Sequence, residues 1–398
     1  MAKVFLIDGA RTPIAKFGGS FRTLKATDLA TTAARGLFAR TGISPEEVDH
    51  VVGGTVLHNM TESNAARIVS KRVGIPDATP SFTLTMQCAS GMAAFIKAAQ
   101  AVALGDSEVA LALGFEAMSG AGYTVDGARW GLRLNHAQFT DSLKECTLAG
   151  SHQWGEPWYM IDVAEHHAKV DQVSREDMDE YAVRSHLKAA EARAAGRLAG
   201  EIVPVEIEGR DGTRLVTEDE HIRADASVDN LASIAPIRPG GVITAGNASG
   251  MNDGGAAALL CSQEAADRLG VDPLAVFDVS HSSLAGCDPY LMGYSAVVSL
   301  NKALERAKLT LDDLDLIECN EGFGVQGVAC ERLGGWPSDR VNLDGGSIGL
   351  GHPVGMSGLR IVVHLAHALR QRNLRRGAAT VPAGSGLGTA VILEAVGG

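Results

Sequence analysis

Residues 41–51 read TGISPEEVDHV and residues 307–317 read AKLTLDDLDLI. Both run through a polar cap, an acidic pair, an apolar residue and an aspartate into a stretch that reads as a strand. Ser44, Pro45 and Glu47 form a capping-box signature with proline at the first helical position, and Thr310 and Asp313 are their counterparts. The parallel continues outward. Ser90-Gly91-Met92 opens a predicted helix running to about residue 104, and Ser357-Gly358-Leu359 opens one running to about 371. Each is followed by a short apolar run ending in glycine, LALG at 111–114 and VPAG at 381–384. Any α/β protein shows such echoes, but several in the same order favour a duplicated unit.

Around this repeat, the first 120 and last 130 residues alternate short apolar runs with longer helical patterns, which predicts α/β architecture. The part between them differs. It carries Trp130, Trp154 and Trp158, a helical stretch over 175–195 that Ser174 can cap and Gly196 can end, and the charged run TEDEHIRAD. The expected organisation is therefore residues 1–119 with 247–270 as one half, 120–246 as an inserted loop domain, and 271–398 as the second half.

Composition sets bounds on partners and compartment. The 398 residues carry a net charge of −12, which argues against generic nucleic-acid or anionic-membrane binding, so a polyanionic ligand needs a local basic pocket. The opening MAKVFLID reads as a first strand rather than a signal peptide, and no apolar run reaches membrane-spanning length. Six scattered cysteines without a CxxC pair predict reduced thiols and a cytoplasmic setting. The 47 glycines are well above average usage and cluster in a few loops.

Two of those loops hold reactive side chains. Cys88, in TMQCASGMAAF, sits between an apolar run and a predicted helix start, where backbone N–H groups and the dipole favour thiolate; the bland alternative is a buried structural cysteine. His352, in DGGSIGLGHPVGMSG, is presented by glycines and stiffened by Pro353, as a general base or as a loop histidine that only makes hydrogen bonds. ECNEGFG at 318–324 ends a strand with Asn320, able to orient a water or donate to an oxyanion, and TAGNASGMNDGGAA at 244–257 is a polar crossing; either can be only a turn. A dinucleotide fingerprint at Gly384, Gly386 and Gly388 is discounted because a strand follows it, not a helix. His166-His167 and His364 with His367 lack partners at metal-ligand spacing, so no metal is expected.

Nearly the whole chain resembles the thiolase family, through VFLIDGARTPIAKFGG, QCASG, GFEAMS, TAGNASGMNDG, CNEGFG and GGSIGLGHPVG in order. The resemblance implies the thiolase fold, two α/β halves in a five-layered α-β-α-β-α sandwich with a loop domain over the coenzyme A site. It implies a homodimer or homotetramer acting on acyl-CoA substrates through an acyl-cysteine, with no permanently bound cofactor. Cys88 then matches the nucleophile, His352 the histidine that activates it, Asn320 the residue that binds a thioester oxygen through water, and Gly384 an oxyanion donor alongside Cys88. For coenzyme A, Arg223 matches the arginine beside the adenine, Ser249 the pantetheine-loop serine, and Met160 and Phe323 pocket-lining residues.

One departure bears directly on the chemistry. Where the family has Cys-x-Gly, whose cysteine is the acid and base at the α-carbon, this chain has Pro382-Ala383-Gly384. Smaller departures are Gly322 and Gly324 in place of alanines, and Tyr159 where histidine often precedes the pocket methionine. Beside thiolysis of a 3-oxoacyl-CoA and its reverse Claisen condensation stand three alternatives. Cys287, Cys319 or Glu321 supplies the missing group, or decarboxylation supplies the carbanion, or the enzyme only transfers or hydrolyses acyl groups. A non-catalytic acyl-CoA-binding partner has no need for Cys88, His352 and Asn320 together.

Overall fold

The computed structural model describes residues 3–209 and 212–396. In the first half, strands β1 (Lys3–Arg11), β2 (His50–Gly54), β3 (Ser81–Leu84), β4 (Val109–Ala117) and β5 (Asn252–Cys261) lie in the spatial order β3-β2-β4-β5-β1. The pairs β3/β2 and β2/β4 are parallel, whereas β4/β5 and β5/β1 are antiparallel.

The second half repeats this arrangement. Its first strand is split into β6 (Ala275–Asp278) and β7 (Ser282–Gly286), followed by β8 (Leu316–Cys319), β9 (Arg376–Ala383) and β10 (Leu387–Ala395). β8 and β9 are parallel, β9 and β10 antiparallel, and both pieces of the first strand pair antiparallel with β10. The place of β3 is taken by a single parallel bridge between Ile317 and Val341. The duplicated order is therefore real, with one strand reduced to a bridge. β1 and β6 pair antiparallel, so the halves share a hydrogen-bonded seam.

Alternation along the strands builds the layers. Ala110, Ala112, Ala256 and Ala258 from the first sheet, with Ala379, Val381 and Val391 from the second, pack on two central helices, α2 (Ser90–Leu104) and α4 (Val354–Gln371). Their neighbours Leu111, Leu113 and Leu259 face the outer helix α1 (Ala26–Thr41), and Ile317, Ala378 and Ile392 face α3 (Tyr294–Ala307). That gives five layers. The central helices touch through glycine: a Cβ on Gly91 would lie 2.7 Å from the Gly355 carbonyl oxygen, and one on Gly358 would lie 2.7 Å from the Met92 nitrogen. The two N-terminal turns thus meet at one place.

Details of the repeat differ from expectation. The motifs at Pro45–Glu47 and Leu311–Asp313 close single 3₁₀ turns rather than α-helices, and α4 begins at Val354, three residues before Ser357. Pro353 explains the latter, since its fixed φ prepares a helix start.

The chain leaves β4 at Ala117 and returns at Asn252, and the segment between includes the helices Met160–Val170 and Arg175–Ala194. Ser174 caps the second, its Oγ accepting from the Asp177 N–H at 3.1 Å. A buried ionic cluster ties this segment to both halves. Arg11 donates to both Asp219 oxygens, at 2.7 and 2.9 Å, and to Glu201 at 2.7 Å, while His364 on α4 lies 3.0 Å from the other Glu201 oxygen. Burial alone would depress the His364 pKa, but Glu201, Glu318 and Asp344 outweigh it and raise it to about 10. The charged imidazole therefore stabilises the fold fully below its unfolded value of about 6.5, and this contribution is lost as pH rises through 10. Burial raises Glu318 to about 7, which works in the same direction as pH increases. The melting temperature should fall between pH 7 and 10, and the fall should be shallower in His364→Gln, as followed by circular dichroism.

Candidate functional site

Parallel strands carry ligand sites at their carboxyl ends, and both halves place their glycine-rich loops there. After β3 the chain turns through Gln87, a non-glycine residue at φ +48°, and enters α2 at Ser90. Ser90 fixes the turn, its Oγ accepting from the Met86 N–H at 2.8 Å and donating to the Gln87 carbonyl at 2.6 Å. Cys88 stands two residues ahead of the helix, and its own backbone N–H and that of Gly384 lie near enough to its sulfur to favour the thiolate. Backbone donors of this kind can also serve a developing oxyanion.

The electrostatics reverse one expectation. Helix position predicted a depressed thiol pKa, but burial pushes Cys88 up to about 11, the two N–H groups only partly offsetting it and the Glu116 charge adding to it. Cys88 rests as a thiol. Its alkylation by iodoacetamide should rise about tenfold per pH unit from 7 to 10 without a plateau, because the thiolate fraction grows that way below the pKa. A plateau near pH 7, measured by intact mass, would show an activated thiolate instead.

His352 is two residues ahead of α4, the same station in the second half. Its N–H donates to Asn252 Oδ1 at 2.8 Å, and the segment bearing Asn252 bridges to it through Met251. Nδ1 lies 2.7 Å from Ser357 Oγ, whose own proton goes to the Pro353 carbonyl at 2.9 Å. Ser357 must therefore accept from Nδ1–H, which leaves Nε2 as the lone-pair nitrogen. Nε2 is buried and has no hydrogen-bond partner among the described residues. Burial, reinforced by Arg360, lowers the imidazole pKa to about 3, so it rests neutral, a proton acceptor with one open position.

Asn320 follows β8 and is held in a complementary way. Its Oδ1 accepts from Ser347 Oγ at 2.8 Å, and Arg360 donates to that same hydroxyl at 3.1 Å. The amide orientation is thereby fixed, and the buried Nδ2 donor lacks a partner among the described residues. The two helix starts that follow Cys88 and His352 meet at Gly91 and Gly355, so a thiol, an imidazole lone pair, an amide donor and backbone N–H groups are offered from loops at the carboxyl ends of the two halves.

The residues matched to coenzyme A binding connect to this site in two groups. Met160 reaches Gly384, its sulfur 3.5 Å from where a Cβ would stand. Ser249 donates its N–H to the Gly322 carbonyl at 3.0 Å, and Ala248 bridges to Phe323. The Arg223 N–H donates to His186 Nδ1 at 3.3 Å; the His221 ring beside His186 abuts Gly250, next to Ser249. Burial is the main cause that lowers His186 to about 3 and His221 to about 4, so Arg223 has no cationic histidine beside it at neutral pH.

Of the three local substitutes for the missing acid and base, Cys319 packs in a core and Glu321 braces a loop, whereas Cys287 lies against the Gly384–Gly386 loop, its N–H donating to the Gly386 carbonyl at 2.8 Å. Cys319 belongs to the outer core under α3, its thiol directed at the Asn320 carbonyl at 3.6 Å, and the neighbouring Cys330 together with burial raises its pKa well above the usual value. Glu321 accepts from Tyr181, Ser185, Asn342 and the Ile348 N–H, bracing the loop that carries His352. Cys287 directs its sulfur at carbonyls of its own turn, Asp288 at 3.4 Å and Leu291 at 3.6 Å, and burial raises it to about 11.

Several contributors were not singled out from the chain. Ser357, Ser347, Arg360 and Asn252 set the orientation of His352 and Asn320. Asn252, Ser347 and Ser357 lie inside the quoted glycine-rich segments, where nothing in the sequence assigns them a role toward a neighbour, and Arg360 sits on a pattern that reads only as helix. Glu116, buried and raised to about 7 mainly by desolvation, accepts from Thr55, Val56, Leu57 and Gly355, clamping the first half to the start of α4.

Comparison with known proteins places this geometry in context. Residues 4–264 match the family description "Thiolase, N-terminal domain" and residues 272–395 match "Thiolase, C-terminal domain". An acetyl-CoA acetyltransferase of Chromobacterium violaceum is 40% identical over 394 residues, covering 98% of this chain and 99% of its own. A probable acetyl-CoA acyltransferase of Staphylococcus aureus is 38% identical over 396 residues, covering 99% of both. The crystal structure of human mitochondrial 3-ketoacyl-CoA thiolase superposes with a TM-score of 0.95 at 36% identity, covering 99% of each chain. The same human enzyme in complex with CoA gives 0.93 at 36% identity, covering 99% of this chain and 98% of that one.

Proposed function

The chain belongs to the thiolase family and is an acyl-CoA acyltransferase, and on that premise we propose that its reaction runs through an acyl-Cys88 intermediate. Coenzyme A thioesters are its substrates, and Arg223, Ser249, Met160 and Phe323 hold the coenzyme. The observation that carries the reading is the neutral His352 with its open Nε2 lone pair, ahead of a helix start that meets the helix start following Cys88, a thiol that needs a base to become nucleophilic.

Nε2 takes the Cys88 proton as the thiolate attacks the thioester or 3-oxo carbonyl. The N–H groups of Cys88 and Gly384 hold the oxyanion, and collapse expels CoA thiolate or the acetyl-CoA enolate, which takes the proton held on His352 Nε2, directly or through water, and leaves the imidazole neutral for the second step. A second CoA thiol then attacks acyl-Cys88, its proton going to His352, and the thioester product leaves. Asn320 Nδ2, with His352, holds the oxygen of the second thioester through water.

Pro382 favours a second reading of the carbon–carbon step, in which the substrate brings its own carbanion by decarboxylation, or the chain only moves acyl groups to a thiol or water. Incubation with acyl-CoA and 3-oxoacyl-CoA, with peptide mass mapping, tests the core proposal. A thioester on the Cys88 peptide is expected; turnover without modification of that peptide would sink it.

The domain organisation follows the same reading, with 1–119 plus 247–270 and 271–398 as the halves and 120–246 as the CoA-covering lobe. The free sheet edge at β3, with Phe82 exposed, supports association into a dimer or tetramer. The six free cysteines support a reducing, cytoplasmic setting. No helix among the described residues is long and apolar enough to cross a membrane.

A further inference from the structure

Glu116, on β4, is a wholly buried carboxylate that the acyl-transfer steps leave unused. Each of its oxygens takes two hydrogen bonds. Oε1 accepts from Thr55 Oγ1 at 3.0 Å and from the Leu57 N–H at 3.1 Å, and Oε2 accepts from the Val56 N–H at 2.9 Å and from the Gly355 N–H at 3.0 Å. Thr55, Val56 and Leu57 form the loop after β2 in the first half. Gly355 is the second residue of α4, whose start has no side-chain cap of its own, so a carboxylate from the other half satisfies one of its free N–H groups.

From Glu116 the contacts run both ways toward the reacting side chains. Thr55 donates its N–H to the Leu84 carbonyl at 3.2 Å, and its own carbonyl accepts from Thr85 Oγ1 at 2.7 Å. Thr85 is three residues before Cys88, and Gly355 is three residues after His352. The joint leaves no slack: a Cβ on Gly355 would lie 2.8 Å from Glu116 Oε2 and 2.7 Å from the Thr55 Cα. Hydrogen bonds through Thr85, Thr55, Glu116 and Gly355 thus join the turn that carries Cys88 to the turn that carries His352.

Resting on the acyl-Cys88 reading, we propose that Glu116 is a positioning residue, which sets His352 against Cys88 so that Nε2 meets the thiol proton during attack. A carboxylate suits this place because both oxygens must accept; an amide of the same shape would turn a donor toward two of the four donors. Its charge is felt at Cys88 and Cys146, where it opposes the thiolate.

The test is a double-mutant cycle on single-turnover acylation of Cys88 by acetyl-CoA, read by intact mass at pH 8, where Glu116, raised to about 7, is mostly ionised. Glu116→Gln and Glu116→Asp are each made in the wild type and in His352→Ala, with folding followed by circular dichroism; two variants guard against one failing to fold. In the wild-type background each should slow acylation by about 10- to 100-fold, as a misplacement of up to about 1 Å does. In His352→Ala no base is left to place, and the further loss should stay under about threefold. An equal slowing in both backgrounds, or folded variants acylating within about threefold of wild type, would overturn the positioning role. Iodoacetamide alkylation of Cys88 separates placement of the base from damage at the thiol. It should hold or rise in Glu116→Gln, which lacks the opposing charge; a fall would put the defect at Cys88 itself and overturn the proposal. Absence of a Cys88 adduct in the wild type would instead overturn the acyl-enzyme reading beneath it.

Discussion

Replacing His352 by alanine is expected to slow acylation of Cys88 by about 10²–10⁴-fold, the usual contribution of a general base. The expectation rests on the resting state of the pair. A thiol with a pKa near 11 supplies very little thiolate at neutral pH, so nucleophilic attack depends on a proton acceptor at the moment of reaction. In the proposed mechanism Nε2 is that acceptor, since Ser357 takes the Nδ1 proton and burial keeps the ring neutral. The loss should be largest near pH 7 and shrink as pH approaches 10, where hydroxide does part of the work of the missing base. Ser357→Ala should show a smaller loss with the same pH dependence, since the imidazole survives without its tautomer being fixed. Single-turnover acylation across that pH range measures both. A His352→Ala rate within about threefold of wild type would mean that Cys88 is activated by another group.

The duplicated fold was legible because its signals are local. Ser44 and Thr310 cap matching turns, and runs such as Val109–Ala117 alternate small and large apolar residues that assign one face to each layer. The bridge at Val341 was not legible as a reduced third strand, since a single pair carries no period. The site residues were visible as isolated motifs, Cys88 before one helix and His352 before another. Their union was not visible, because it depends on two glycine-lined helix starts meeting across the halves at Gly91 and Gly355. The protonation state was read wrongly for a physical reason. A helix terminus offers a thiolate a modest, surface-scaled benefit, whereas desolvation of the half-buried Cys88 costs more, and only the packed structure shows what surrounds the sulfur. The same holds for Glu321 and Cys319, whose sequence positions beside Asn320 suggested chemistry and whose contacts show bracing and core packing.

Pro382→Cys is expected to raise the rate of carbon–carbon bond cleavage or formation by about 10²–10⁴-fold while changing acyl exchange between CoA thiols little. The separation follows from the two half reactions. Acyl exchange needs only Cys88, its base and the two N–H donors, and these are in place. Cleavage of a 3-oxoacyl-CoA also expels an enolate that must be protonated at carbon, and condensation must remove that proton; proline can do neither. The fold accepts the change. Pairing between β8 and β9 ends at Cys319 and Thr380, so at Pro382 the strand has a neighbour on one side only, the position where a sheet tolerates proline. Glu321 and Cys319 are held by bracing and core contacts, and Cys287→Ala in the Pro382→Cys background separates any contribution from the thiol beside the Gly386 loop. Loss of the 3-oxoacyl-CoA enolate absorbance measures cleavage, and exchange of labelled CoA into acyl-CoA measures transfer. A folded Pro382→Cys protein with unchanged cleavage and unchanged exchange would place the α-carbon chemistry with the substrate itself, through loss of a carboxylate, and direct the search for substrates to malonyl-type thioesters.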